Sequence, residues 1–93
     1  EPTGVLIQSI ASGSPLEKAG AVEGNKLVQM GRYKIIIGGD IIYSIDEKKI
    51  TSPEQLYNAI ESHRPGDKIT VTIIRDGKFL DLDVLLKERP RNY

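Results

Sequence analysis

The chain has 93 residues, which is enough for one small domain and too few for two. Lysine plus arginine and aspartate plus glutamate each number 13, so no net charge attracts nucleic acid or an anionic membrane surface. The lack of cysteine excludes disulfides and thiolate metal sites, and no apolar run approaches the roughly 20 residues of a membrane-spanning helix. Because the sequence opens at Glu1 without Met or a signal peptide, we expect it to be an excised piece of a longer protein.

The first part of the chain predicts a strand, a short helix and a hairpin. Residues 4–10 carry apolar side chains on both strand faces, which indicates a largely covered strand. A helix over about 14–19 is indicated by Ser14 as N-cap, Pro15 at the first helical position and Gly20 as left-handed C-cap. Within residues 22–38, Gly31-Arg32 separates two β-rich runs, which predicts an inserted β-hairpin.

The middle of the chain predicts a strand followed by the clearest helix. Gly39-Asp40 forms a turn before the β-branched run 41–45. Ser52 and Gln55 have the spacing of a capping box, so we expect a helix over about 53–62.

The last part predicts a β-hairpin, because Asp76-Gly77 joins two β-rich runs at 68–75 and 78–87. Short strands with two helices make an α+β domain, and a partly open barrel capped by helices would bury this pattern. We expect a single domain over 1–88 and a flexible, charged tail over 89–93.

The order of these motifs resembles a PDZ domain of the HtrA/Deg-family serine proteases. The motifs read SGSPLEKAG, GGDIIYSID and RPGDKITVTIIRDG, and the likeness covers nearly the whole chain. The resemblance implies a PDZ-like fold: a partly open antiparallel β-barrel or sandwich of five to seven short strands, capped by helices at about 14–19 and 53–62.

The chain departs from the family pattern at three places. Residues 21–38 are an insertion relative to many family members. Asp46-Glu47 replaces the usual Asp-Gly or Asn-Gly, which predicts a different turn geometry. The family's carboxylate-binding loop and the strand that follows it would lie upstream of Gly4, and only Thr3-Gly4-Val5 is left to substitute for them.

The resemblance implies binding of a peptide strand between a sheet edge and the second helix. We expect Leu56 and Ala59 to face the core, while an adjoining helix face lines the groove. The predicted peptide-binding residues are Pro53, Tyr57 and Ile60 on the helix, with Val5 and Ile7 on the first strand. The alternative is that Tyr57 is an ordinary surface residue and Ile60 belongs to the core.

The resemblance further implies a non-catalytic module without cofactor or metal. Its expected partners are C-terminal or exposed apolar segments of unfolded proteins and the protease domain of the same parent chain. Neither nucleic acid nor direct membrane insertion is expected. The parent would be a serine endopeptidase in protein quality control, located outside the cytoplasm in the periplasm or at the membrane.

Three titratable side chains are candidates for catalysis. His63 is the only histidine, and its place at a helix end favours a capping role over a Ser-His-Asp triad. Asp81 and Asp83 share one strand face, where carboxylates keep an outer sheet face soluble more often than they hold a cation.

Two further functions stay open at this stage. The 22–38 insertion has more apolar residues than one small hairpin needs, so the domain could instead be an inter-domain or oligomerisation scaffold. The parent could also be an intramembrane metalloprotease or a carboxy-terminal processing protease, because such proteases carry PDZ domains as well.

Overall fold

The computed structural model describes residues 4–86, which form two antiparallel sheets and two helices. One sheet has the order β1-β4-β6-β7, with β5 added to β4, and the other consists of β2 and β3 alone. The elements in chain order are β1 Val5–Leu6, α1 Pro15–Ala19, β2 Lys26–Met30, β3 Tyr33–Ile37, β4 Ile41–Ile45, β5 Lys48–Lys49, α2 Pro53–Glu61, β6 Lys68–Arg75 and β7 Lys78–Leu85.

This architecture confirms the predicted α+β, PDZ-like class with two helices and about seven strands. The sheets do not close into a barrel. Thr3, named as a substitute for the carboxylate-binding loop, and the expected tail over 89–93 lie outside the described residues.

The core consists of β-branched and leucine side chains on the inner face of the large sheet. Its buried members are Ile7, Ile42, Ile45, Ile50, Ile69, Val71, Ile73, Val84 and Leu86. Helix α1 covers this face with Leu16 and Ala19, and α2 covers it with Leu56, Ala59 and Ile60. Each of these helices begins at a serine N-cap followed by proline, as the sequence predicts.

The first strand is shorter than the predicted 4–10, because its backbone partner changes after β1. Ile7 N–H still donates to the carbonyl oxygen of Asp40, the residue just before β4, at 2.9 Å. The Gln8 carbonyl then accepts from Gly24 N–H at 3.2 Å, and Ile10 N–H donates to the Glu23 carboxylate at 2.8 Å. The segment therefore stays extended but lies against a loop instead of a strand.

A β-bulge in β4 places both Ile42 and Ile45 in the core. Ile42 pairs with Ile73 and Ser44 with Thr72, which leaves Tyr43 as the extra residue. Because a bulge shifts the alternation of side chains by one residue, Ile45 returns to the buried face beside Ile42.

The two-residue turns at Asp46-Glu47 and Asp76-Gly77 share one backbone pattern. All four residues have positive φ, at 49° and 72° in the first turn and 52° and 76° in the second. Positive φ at both central positions is the sign pattern of a type I′ hairpin turn. The expected change of geometry at Asp46-Glu47 is therefore not found. Thr70 N–H donates to the Asp46 carboxylate at 2.9 Å and holds the glycine-free turn in place.

The Gly39-Asp40 motif joins the base of the β2–β3 hairpin to the large sheet. Gly39 passes so close to the backbone of Ile7 and Gly24 that a Cβ atom would collide with both. The Asp40 carboxylate, 2% exposed, accepts from Val22 N–H at 2.8 Å and from Arg75 Nε and Nη2 at 2.9 and 2.8 Å. Burial disfavours this carboxylate, but its hydrogen bonds outweigh that effect and lower the pKa of Asp40.

Candidate functional site: an apolar trough beside helix α2

A trough with a volume of about 450 Å³ lies between the extended segment 5–11 and helix α2. This volume falls within the roughly 300–1,000 Å³ of small-ligand pockets, and side chains of the core form its floor. The lining residues are Val5, Leu6, Ile7, Gln8, Ser9, Ile10, Ala11, Ser14, Pro15, Leu16, Ile42, Ile45, Pro53, Leu56, Tyr57, Ile60, Ile69, Val71, Val84 and Leu86.

One wall of the trough is the start of the large sheet. Strand β1 pairs with β4 on one side, and no described strand pairs with its other edge. Ile7 is 6% exposed and belongs to the core, whereas Val5 is half-buried. An edge strand presents unpaired backbone groups, so this wall offers a template for an added strand.

The other wall is helix α2, whose start is fixed by reciprocal capping. Ser52 Oγ accepts from Gln55 N–H at 3.2 Å, and Gln55 Oε1 accepts from Thr51 N–H at 2.7 Å. Residues four and three positions apart lie on one helix face, which aligns Pro53, Tyr57 and Ile60 along the trough.

The structure brings the five sequence-predicted site residues together around this one trough. Tyr57 is 57% exposed and forms part of the rim, whereas Ile60 is half-buried and packs against the core while also lining the trough. The two interpretations of this helix face are therefore compatible. Leu56, expected only in the core, lines the trough as well.

Sequence reasoning missed the wall residues that follow β1. Ile10 and Leu16 line the end of the trough near α1. The apolar character of both faces of segment 4–10 was a signal for Ile10. Nothing in the sequence alone indicated that the backbone partner of this segment changes after Ile7, from the residues at β4 to Glu23 and Gly24.

His63 caps the end of α2 and does not form a catalytic triad. Its Nδ1 lies 2.7 Å from the Ala59 carbonyl oxygen, and its Nε2 lies 3.3 Å from the Asp46 carboxylate. Ser62 Oγ is 3.4 Å from the ring, but its hydrogen bond goes to the same Ala59 carbonyl at 2.8 Å. The serine is therefore bound to the helix end and is not activated by the imidazole.

The other carboxylates considered for chemistry lie on the outer sheet face. Asp81 accepts from the Thr72 hydroxyl at 2.7 Å, and Asp83 pairs across the strands with Thr70. Over residues 4–86, acidic and histidine side chains form no cluster of three or more that could hold a metal ion. Neither described helix has the length and apolarity needed to cross a membrane.

Sequence comparison supplies the family and its relatives. A family model described as "PDZ domain" matches residues 1–86. A probable periplasmic serine endoprotease, DegP-like, from Chlamydia muridarum is 30% identical over 94% of this chain and 14% of its own length. Protease Do-like 8, chloroplastic, from Arabidopsis thaliana is 30% identical over 92% of this chain and 18% of its own length. The chain thus spans less than a fifth of either relative.

Structural comparison gives the same fold. An HtrA-type protease solved with a decapeptide superposes with a TM-score of 0.64 over 95% of this chain and 23% of its own, at 21% identity. This likeness supports the fold alone. The family match over all of the described residues decides the assignment: the chain is a PDZ domain, homologous to the PDZ domains of DegP- and HtrA-type serine proteases, and it does not include their catalytic domain.

Proposed function

We propose that this PDZ domain binds apolar peptide segments by adding them as a strand to the free edge of β1. The observation that carries the proposal is the trough itself, which runs between that edge and α2 over a core floor. Backbone hydrogen bonds to the edge supply affinity, and every second peptide side chain enters the trough.

The apolar walls favour aliphatic or aromatic peptide side chains. Val5 and Ile7 on the strand side and Ile60 on the helix side offer only hydrocarbon, while the exposed ring of Tyr57 lies at the rim. Burying such a peptide side chain contributes about 1.5–3 kcal/mol before the loss of peptide freedom is subtracted. The peptide bound to the HtrA-type structural neighbour supports a peptide ligand here.

We further propose that the domain recruits substrate for, or regulates, a serine endopeptidase in the same parent chain. The serine endoprotease relatives support this parent over the metalloprotease and processing-protease alternatives. The periplasmic description of the Chlamydia relative supports an extracytoplasmic location, although the Arabidopsis relative is described as chloroplastic. Cell fractionation of the source organism tests the location.

The test of peptide binding is an NMR titration of the labelled chain with a short apolar peptide. Tyr57→Ala should weaken binding about fivefold to tenfold, because it removes an aromatic contact at the rim. Tyr33→Ala is the matched control, since Tyr33 is also exposed but lies on the β2–β3 hairpin. Equal weakening by both variants, or shifts confined to the hairpin, would contradict the proposal.

A second candidate function, contact with another domain of the parent chain, is favoured by the hairpin. Strands β2 and β3 pair only with each other among the described strands. Leu27, Met30 and Tyr33 are 62%, 55% and 75% exposed, respectively. Apolar surface of this kind on an isolated hairpin is typical of a contact region.

Hydrogen exchange tests this second candidate by comparing the hairpin amides in this chain and in the longer parent protein. Stronger protection of residues 26–37 in the parent is expected if another domain covers them. Equal protection in both proteins would contradict the inter-domain contact.

A further inference from the structure

Beyond β1, one wall of the trough is formed by residues 7–10, which we call the wall segment. The Gln8 carbonyl oxygen accepts from Gly24 N–H at 3.2 Å, and Ile10 N–H donates to the Glu23 carboxylate at 2.8 Å. Both partners lie shortly before β2. After its first residue, the wall segment is therefore bonded to the start of the β2–β3 hairpin and not to a neighbouring strand of the large sheet.

The side chain of Gln8 connects the wall segment to the other side of the hairpin base, which consists of residues 22–25 and 36–40. Its Oε1 accepts from Ile36 N–H at 2.9 Å. Gln8 thus accepts from both sides of the hairpin base, because its backbone carbonyl is bonded to Gly24. These bonds fix the position of the wall segment, so the hairpin base determines how far this wall lies from helix α2.

The hairpin base is itself fixed to the large sheet. Asp40 and Val22 exchange two hydrogen bonds. Val22 N–H donates to the buried Asp40 carboxylate at 2.8 Å, and Asp40 N–H donates to the Val22 carbonyl oxygen at 2.9 Å. Arg75 of β6 donates to the same carboxylate. A continuous series of contacts therefore runs from the large sheet through the hairpin base to the wall segment.

We propose that the hairpin base supports this wall of the trough and that Glu23 is a positioning residue for peptide binding. The inference rests on the proposed peptide-binding function and gives the insertion a role inside its own domain. Glu23 does not line the trough, so it acts on a ligand through the backbone of Ile10. A wall that is held in place in the free protein favours binding, because less of the binding free energy is spent on ordering it.

Peptide affinities of Glu23 variants, measured by fluorescence anisotropy with a short apolar peptide, test this inference. Glu23→Ala should weaken binding about threefold to tenfold, because it removes the acceptor of Ile10 N–H. Glu23→Gln keeps a side-chain oxygen that can accept this bond, so its affinity should stay within about twofold of wild type.

Asp81→Ala is the matched control, because it changes the net charge equally and also removes an exposed carboxylate that accepts a hydrogen bond. Asp81 lies on the outer sheet face and does not line the trough, so this variant should bind the peptide as wild type does. The midpoints of urea unfolding of Glu23→Ala and Asp81→Ala should be close to each other, since both substitutions are on the surface.

Hydrogen exchange gives a second reading that does not depend on a substitution. Saturating peptide should slow exchange of the Gly24 and Ile36 amides about threefold or more, because a ligand that orders the wall segment also stabilises the bonds that hold it. Exchange of the Arg32 amide in the hairpin turn should not change, since this turn does not line the trough.

The outcomes separate this inference from the proposed function. Wild-type affinity in Glu23→Ala, equal weakening in Glu23→Ala and Glu23→Gln, or unchanged exchange at Gly24 and Ile36 would overturn the positioning role while leaving peptide binding in place. A urea midpoint lowered in Glu23→Ala but not in Asp81→Ala would show a general structural role and overturn it as well. Failure of the wild-type chain to bind the peptide would instead overturn the proposed function.

Discussion

The trough and the β2–β3 hairpin both expose apolar side chains, but only the trough rests on the core. Its floor includes Ile42 and Ile69, which are almost fully buried, whereas the hairpin strands pair only with each other among the described strands. A concave surface over a rigid floor can receive a ligand without being reorganised. Exposed apolar residues alone therefore do not distinguish a binding site from a contact surface. The packed core beneath the trough is the feature that separates the two regions.

The largest expected effect is a difference in the free energy of unfolding between a variant beside the trough and a variant on the hairpin. Ile7→Ala should lower the free energy of unfolding by about 2–4 kcal/mol, because it leaves a cavity under the trough. Leu27→Ala, at a position that is 62% exposed on the hairpin, should change it by less than about 0.5 kcal/mol. Urea unfolding of both variants measures the difference. Similar losses in the two would show that the hairpin is part of the cooperative core.

The next effect concerns the ion pair at the hairpin base. Asp40→Ala should destabilise the domain by about 2–3 kcal/mol, since it removes the acceptor of Val22 N–H and leaves Arg75 without its carboxylate partner. Asp81→Ala is the control, because this carboxylate is exposed and should matter by less than about 1 kcal/mol. An Asp40 variant as stable as the Asp81 variant would contradict the role of this anchor.

The same ion pair predicts how stability responds to acid. The folded-state pKa of Asp40 is lowered from 3.8, so its contribution is fully present above that value. It is lost as the pH falls through the lower folded-state pKa. Wild type should therefore lose more stability than Asp40→Asn between neutral pH and acid, with the difference arising below about pH 4. Parallel pH profiles in denaturant titrations would count against this linkage.

The smallest expected effect is local to the hairpin. Gln8→Ala removes the side-chain acceptor of Ile36 N–H, so exchange of that amide should rise about fivefold. The free energy of global unfolding should change by less than about 0.5 kcal/mol. Gln29→Ala is the matched control, because the side-chain amide of Gln29 donates to the carbonyl oxygen of the nearby Gly31. Faster exchange of Ile36 in the control variant as well would show that Gln8 is not a specific tether.

Local signals in the sequence predicted the elements well. Capping residues located both helices, and the Asp76-Gly77 turn located the β6–β7 hairpin. These features depend on residues close together in the chain, where the physical cause is short-range. The peptide-binding residues were predicted through the family resemblance, because no local rule brings a strand edge and a distant helix together. They are Val5, Ile7, Pro53, Tyr57 and Ile60.

Long-range pairing could not be predicted in the same way. The Asp40–Arg75 pair joins residues 35 positions apart, and each side chain alone is typical of a surface. The early end of β1 likewise follows from Glu23 and Gly24, which capture backbone groups after Ile7. Such contacts depend on the assembled fold, so the depth and width of the trough were not accessible from the sequence.

The most direct test of the account is the pattern of intermolecular NOEs between an apolar peptide and the methyl groups of the chain. We predict contacts from the peptide to Val5, Ile10 and Ile60 in the trough, and none to Leu27 or Met30 on the hairpin. NOEs to the hairpin methyl groups, with no NOEs to the trough, would contradict the proposal that the trough is the peptide site.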